Sequence, residues 1–257
     1  MTDQARRVRA QFGAIAAAYV ASPGHAGGDD LEQLAAWGRA LSPTRVLDMA
    51  TGGGHTALAF VPIARRVIAC DVTEPMLQAA RGLLQGRGAA SATFVAGDVE
   101  ALPFGDGVFD LVTCRIAAHH FADVAAAVRE VRRVLRPGGS FLLQDILGHD
   151  DGEAAAFIIE VERRRDPSHV RAYRAVEWKA FLRAAGLTMM DSTVVAKGRP
   201  WDEWTTRTRM TPEARRDLEA FVLAAPERCR AAFDFRVADG RVESFTDRML
   251  LVRADRD

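Results

Sequence analysis

The chain has 257 residues, of which 49% are hydrophobic and 26% charged. That length and composition suit one large α/β domain with a sizeable core better than two independent domains. Its 34 Lys and Arg cancel its 34 Asp and Glu, which removes the electrostatic case for a nucleic acid or an acidic membrane as main partner. Cys70, Cys114 and Cys229 form no CxxC pair and are odd in number. They read as buried thiols of a reducing compartment rather than a disulfide or zinc framework, so no metal is expected. No window approaches the apolar length of a membrane span, and residues 1–9 are polar without a signal core. The expected location is cytoplasmic.

Two helical stretches open the chain, 4–19 and 30–41, joined by Ala21-Ser22-Pro23-Gly24-His25. A first strand is expected over 45–50 (RVLDMA), followed by a glycine turn and a helix over 54–63. A strand over 66–71 (RVIACD) precedes a helix over 74–84, with Pro75 at a tolerated first-turn position. Further strands are expected over 92–96 and 109–115 (FDLVTCR). Val124, Val128, Val131 and Leu135 recur at the helical period and predict a helix over 124–135; Pro137-Gly138-Gly139 breaks it and launches a strand over 140–146. A helix over 152–165 runs into Asp166-Pro167-Ser168, and another over 176–185 stops at Gly186. Strand 187–195, an ambiguous stretch 201–208, helix 212–224 and strand 242–252 complete the chain. Alternating strands and helices predict a Rossmann-like, doubly wound α/β fold on a mostly parallel seven-stranded sheet, with a helical insertion after the fifth strand.

The most informative run is Asp48-Met49-Ala50-Thr51-Gly52-Gly53-Gly54, at a strand–helix junction. Glycine there permits positive φ and close approach of a ligand. The acidic residue at the strand end suits a ligand with an ammonium group, such as the methionine part of S-adenosylmethionine, better than a pyrophosphate. The dinucleotide pattern GxGxxG fails, because Ala57 holds the third position. Asp71 ends the second strand, where a carboxylate can accept from both ribose hydroxyls; Asp98-Val99 follows the third, where they suit an adenine amino group and ring face. Open α/β sheets bind ligands at such strand ends.

These residues resemble the class I S-adenosylmethionine-dependent methyltransferases, in the branch that includes the ubiquinone/menaquinone biosynthesis enzymes. The matching runs are LDMATGGGHTA (47–57), IACDVTEPML (68–77), GDVEALPFGDGVFDLVTCR (97–115), AAHHF (117–121) and VLRPGGSFLLQD (134–145). QFGAIAAAYVASPGHA (11–26) and RDPSHVRAY (165–173) resemble a bacterial subfamily. Ala50 stands where many members have glycine, and its small size is expected to preserve binding. The resemblance implies a single domain: an N-terminal helical lid over 1–41, a cofactor core over 42–147, a cover over 148–175, and 176–257 completing the sheet. It implies that Asp48, Ala50, Thr51, Gly52, Gly54, Asp71, Val72, Met76, Asp98, Val99 and Arg115 meet S-adenosylmethionine, with Tyr19 and His25 of the lid capping it.

Methyl transfer is an in-line displacement in which the protein chiefly positions the nucleophile. His119 and His120 follow the fourth strand at the rim facing the transferable methyl, as candidate bases. The competing reading makes them packing and capping residues. Asp145, ending the fifth strand, either contacts substrate or caps a turn. Glu160 and Arg164, four apart, read as a solvated helix pair, and Trp201 and Trp204 as core cover. His169 and Arg171 suit a polar or acidic substrate. The expected partner is a small-molecule methyl acceptor, and the expected state a monomer or homodimer. Alternatives are a cofactor-binding protein of this fold that catalyses cyclisation, and an NAD(P) oxidoreductase, which the missing glycine disfavours. A nucleic-acid methyltransferase is disfavoured because Arg115-Ile116-Ala117-Ala118 replaces the Asn/Asp-Pro-Pro-aromatic motif.

Overall fold

Apolar residues alternate between two cores along the central strands, which is what buries both faces of a sheet at once. Val46, Leu111, Leu142 and Leu251 point into one core, and Leu47, Val112, Leu143 and Val252 into the other. The structure is a computed structural model that describes residues 2–16, 20, 26–89 and 91–257. Strands β1 (Arg45–Met49), β2 (Arg66–Asp71), β3 (Thr93–Ala96), β4 (Phe109–Arg115), β5 (Leu135–Ile146), β6 (Leu187–Pro200) and β8 (Arg241–Arg256) form one sheet in the order β3-β2-β1-β4-β5-β8-β6, and the short β7 (Arg236–Ala238) pairs with β8. The first five are parallel, and β8 runs antiparallel to both β5 and β6. The Rossmann-like doubly wound expectation holds, with β7 as an eighth strand too short to have shown a pattern.

Helices α2 (Asp29–Leu41), α3 (His55–Phe60) and α4 (Glu74–Gly86) supply Leu34, Phe60 and Leu84 to one core. Helices α5 (Val124–Val134) and α7 (Ala175–Ala185) supply Val128, Val131, Trp178 and Leu182 to the other. Helix α1 (Asp3–Gly13) packs Phe12 on Met76 of α4. The expected break at Pro137–Gly139 appears as a bulge inside β5: Phe109 pairs with Leu135, and the next pair is Leu111 with Ser140, with Gly138 at φ 73°.

The larger departure is the length of β6 and β8. Both outrun the sequence pattern, because their outer parts are polar and one-sided. Beyond Ile146↔Met249, the last pair with β5, the two continue as a ribbon from Ala196↔Arg248 to Pro200↔Ser244. Since β8 is antiparallel to β5, the ribbon projects past the carboxyl ends of the parallel strands. A third cluster covers that edge. It joins Phe157, Ile158 and Val161 of α6 (Gly152–Arg165) to Trp201 and Trp204 of α8 (Trp201–Arg207), Leu218 and Val222 of α9 (Pro212–Ala224) and Cys229 of α10 (Glu227–Ala231). The ambiguous stretch is thus helical, and both tryptophans are core as read. No described helix is long and apolar enough to cross a membrane.

Gly54 shows how tightly the first turn is packed. It sits at φ 87°, and a Cβ there would lie 2.8 Å from Leu84 Cδ1 and 2.9 Å from Ala80 Cβ. The strain of a left-handed side chain and the overpacking add, so Gly54→Ala is expected to cost about 2–4 kcal/mol in urea unfolding; an unchanged midpoint would contradict the packing described.

Candidate functional site

Asp48 is buried, and both its oxygens are taken. Oδ2 accepts from Thr51 Oγ1 (2.6 Å) and from the Ala57 amide (3.0 Å), and Oδ1 accepts from Thr113 Oγ1 (2.7 Å). Burial pushes its carboxyl up to about 6, against the pull of these three donors. The hydrogen bonds hold the chain as it leaves β1. Ala50 turns left-handed at φ 52° and Gly52 at φ 53°; the Thr51 amide donates to the Cys70 carbonyl (2.9 Å) and the Gly52 amide to Asp71 Oδ2 (2.9 Å). At Ala50 the backbone, not the side-chain size, is what glycine would ease.

This turn opens a cleft at the carboxyl ends of the strands, where open α/β sheets bind ligands. Ala50, Thr51, Gly52, Asp71, Val72, Met76, Asp98, Val99, Arg115 and His120 all line it, as does Phe12 of α1. Asp48 and Gly54 do not: Asp48 lies behind the wall and braces the turn, and Gly54 admits α4. Tyr19 and His25 lie outside the described residues. No described residue meets a Cβ built on Gly52 within 4 Å. Asp71 Oδ1 also accepts from the Thr73 amide (2.8 Å), and burial raises its carboxyl despite these amides. Asp98 Oδ1 accepts from the Glu100 amide (3.0 Å). Burial, with Asp71 and Asp48 beside it, pushes the Cys70 thiol up to about 12, so it stays a protonated wall residue.

Arg115 enters the same wall. Its Nη2 donates to Asp30 Oδ2 (2.7 Å) and its Nε to Gln144 Oε1 (2.8 Å), while Lys197 Nζ of the ribbon reaches Asp30 Oδ2 at 3.1 Å. Burial alone would raise the Asp30 carboxyl; Arg115 and Lys197 overrule it and hold it low.

A second, smaller cavity adjoins the first and shares Phe12, Ile116 and His120 with it. Of its twelve described lining residues eight are titratable, which makes it the more polar chamber. His119 Nδ1 donates to Asp145 Oδ1 (2.6 Å), and Asp145 Oδ2 accepts from the His119 amide (2.8 Å). Burial alone would lower the His119 ring, but Asp145 raises it above its ordinary value. His120 Nδ1 donates to the Ser168 carbonyl (3.1 Å), and burial, then His119, lowers it. Gln4 of α1 donates to the carbonyls of His120 (3.0 Å) and Ser168 (2.6 Å), so α1 latches both chambers.

The histidine pair is brought to the cavities as the sequence suggested, and Asp145 is the partner of His119. His169 lines the second cavity, whereas Arg171 pairs with Glu177 (2.7 Å) away from it. Glu160 and Arg164 are a half-exposed helix pair at 2.8 Å. Asp30, Gln144, Glu162, Lys197 and Arg199 were not legible as site residues. Their only signal is a polar or charged side chain, which sequence pattern does not separate from a solvated face. No group of three or more His, Cys, Asp or Glu among the described residues could hold a metal ion.

Removing Asp30 would take the carboxylate from between the buried Arg115 guanidinium and the half-buried Lys197 ammonium. Asp30→Ala is expected to cost about 3–5 kcal/mol in urea unfolding at neutral pH. Because the folded carboxyl is held below 3.8, its stabilisation is present above that value and is lost as pH falls through the lowered one. The deficit of the variant should therefore shrink only in strong acid; a deficit equal at all pH values would contradict the pairing.

Residues 47–143 match the family model described as the methyltransferase domain. The uncharacterised methyltransferase YcgJ of Bacillus subtilis is 36% identical over 88% of this chain and 90% of its own. The crystal structure of the YcgJ protein superposes with a TM-score of 0.84, covering 88% of this chain and 97% of that one at 35% identity. A candidate methyltransferase from Bacillus halodurans, of known structure, gives a TM-score of 0.85 at 39% identity over 89% of this chain and 99% of its own. A ubiquinone/menaquinone biosynthesis C-methyltransferase of Pseudomonas putida is 40% identical over a shorter stretch, 40% of this chain and 41% of its own. Likeness across nearly the whole of two chains is a family relation: the protein belongs to the class I S-adenosylmethionine-dependent methyltransferases.

Proposed function

We propose that the chain moves a methyl group from S-adenosylmethionine in the first cavity to a small-molecule acceptor in the second, with His119, held by Asp145, taking the acceptor's proton. The observation that carries this reading is the 2.6 Å His119–Asp145 pair on the wall of a polar chamber adjoining the cofactor cleft. Asp145 fixes Nδ1 as the donor and so leaves Nε2 as the basic nitrogen.

The cofactor cleft fits the group the family uses. No described residue crowds Gly52, Asp71 retains lone pairs on both oxygens for ribose hydroxyls, and Asp98 and Val99 stand one strand further along for the adenine. Bound there, S-adenosylmethionine supplies a methyl group on a positively charged sulfur, already activated for in-line displacement. The protein's own work is to orient the acceptor, to exclude water through α1 and the cover, and to accept a proton at His119 Nε2.

The direct test incubates the protein with methyl-labelled S-adenosylmethionine and a small-molecule extract. Label should appear in the low-molecular-mass fraction; label confined to macromolecules, or no transfer by protein that binds S-adenosylhomocysteine, would overturn the reading. With an acceptor in hand, His119→Gln should slow the single-turnover rate by about 10²–10⁴. The rate should rise with pH through a value above 6.5, because Asp145 holds the His119 ring up. Asp145→Asn removes that influence, so the inflection should move to lower pH. An inflection that stays in place would remove Asp145 from the base.

A further inference from the structure

Most charged groups in the wall of the second cavity have partners. Arg199 Nε donates to Asp247 Oδ2 at 2.6 Å. Arg165 donates through Nε to the Trp204 carbonyl (2.9 Å), and its guanidinium lies 4.4 Å from the centroid of that indole. Asp166 Oδ1 accepts from the Ser168 amide (2.9 Å) and hydroxyl (2.6 Å). Arg207 Nη2 lies 3.6 Å from Glu203.

Glu162 differs. It is 5% exposed, yet its carboxyl makes no hydrogen bond with a described residue, and its nearest cation, Arg165 Nη1, stands 3.6 Å away, too far for one. Burial, only partly opposed by Arg165, raises its carboxyl. In the same wall stands His169, also 5% exposed, whose buried Nε2 has no hydrogen-bond partner among the described residues. Its ring lies 5.2 Å from that of His119. Buried polar groups are nearly always hydrogen-bonded, and those that are not mark a place that something else completes.

We propose that Glu162 and His169 are the groups that hold the methyl acceptor, and that the acceptor is a small polar molecule presenting hydroxyl or amino hydrogens to the Glu162 carboxyl. The charge pattern decides between ligand classes. Arg165 and Arg199 spend hydrogen-bond donors on a carbonyl and a carboxylate, while the Glu162 carboxyl, ion-paired with Arg165 at 3.6 Å, keeps acceptor capacity that no described residue takes up; the chamber therefore offers an acceptor to a hydrogen-bond donor. The neighbouring His119 places the held group beside the base. This assignment rests on the methyl-transfer reading only in naming the bound molecule as the acceptor.

The test uses near-isosteric probes: phenol and aniline, which carry a donor, and toluene, which does not. Binding is followed by saturation-transfer NMR on protein loaded with S-adenosylhomocysteine, so that the first cavity is filled. Phenol and aniline should bind at least tenfold more tightly than toluene. Glu162→Leu should weaken phenol at least tenfold, while Glu162→Gln, which keeps an acceptor oxygen, should restore most of that loss. Toluene binding as well as phenol, or phenol binding unchanged in Glu162→Leu, would overturn the proposal. Titration with S-adenosylhomocysteine reports whether each variant is folded; if Glu162→Leu is not, the comparison of the three probes on the unmodified protein decides alone. Unmodified protein that fails to bind S-adenosylhomocysteine would sink the methyl-transfer reading, while phenol against toluene in the unmodified protein and in Glu162→Leu still judges the pocket.

Discussion

A carboxylate with three donors around it shapes the turn that leaves β1, and the cofactor cleft follows from that turn. Asp48 ties Thr51 and Ala57, which come after it in the chain, to Thr113 on the neighbouring strand. The left-handed steps at Ala50 and Gly52 are then forced, because the Gly52 amide must reach Asp71 while the Thr51 amide reaches the end of β2. The folded state holds this carboxyl protonated up to about 6, so the stability it adds is present below its ordinary value and is lost as pH rises through about 6. At neutral pH the turn holds an anion that burial disfavours, in a wall built to face a ligand.

The second chamber depends on a different constraint, the overrun of the β6–β8 ribbon. Past the last pair with β5, the ribbon carries Lys197 and Arg199 over the carboxyl edge of the sheet. Lys197 meets Asp30 of α2, and Arg199 meets Asp247 across the ribbon itself. Helix α6 fills the space above through Phe157, Ile158 and Val161, and the same helix presents Glu162 and Arg165 to the cavity. Cover and cavity wall are therefore one packed unit: the residues that stabilise it apolar-side also aim its polar side inward. Helix α1 closes the remaining side, touching both chambers through Phe12 and latching the histidine turn through Gln4.

Much of the fold was legible because its signals are local. Five parallel strands show as short apolar runs, and the amphipathic helix 124–135 shows as a period. The glycine turn and the acids at successive strand ends are set by the need for positive φ and for hydrogen-bond acceptors at the carboxyl edge. Asp71, Asp98, Arg115 and His120 line the first cavity, and His119 and His120 the second. Asp48 and Gly54 belong to the same motif but serve it from behind, since a strand-end position does not say whether an oxygen is already taken.

What the sequence by itself determined is the class of sheet, the position of its ligand edge and the family chemistry, all of which rest on backbone conformation and short-range spacing. The tertiary structure alone decided which polar groups share a chamber. Asp30 and Lys197 are 167 positions apart, His119 in the turn after β4 meets Asp145 near the end of β5, and Glu162 lines the second cavity only because the ribbon and α8 close over it. The strength of a charge or a hydrogen bond is set by burial and by its partners, and neither is defined until distant segments pack.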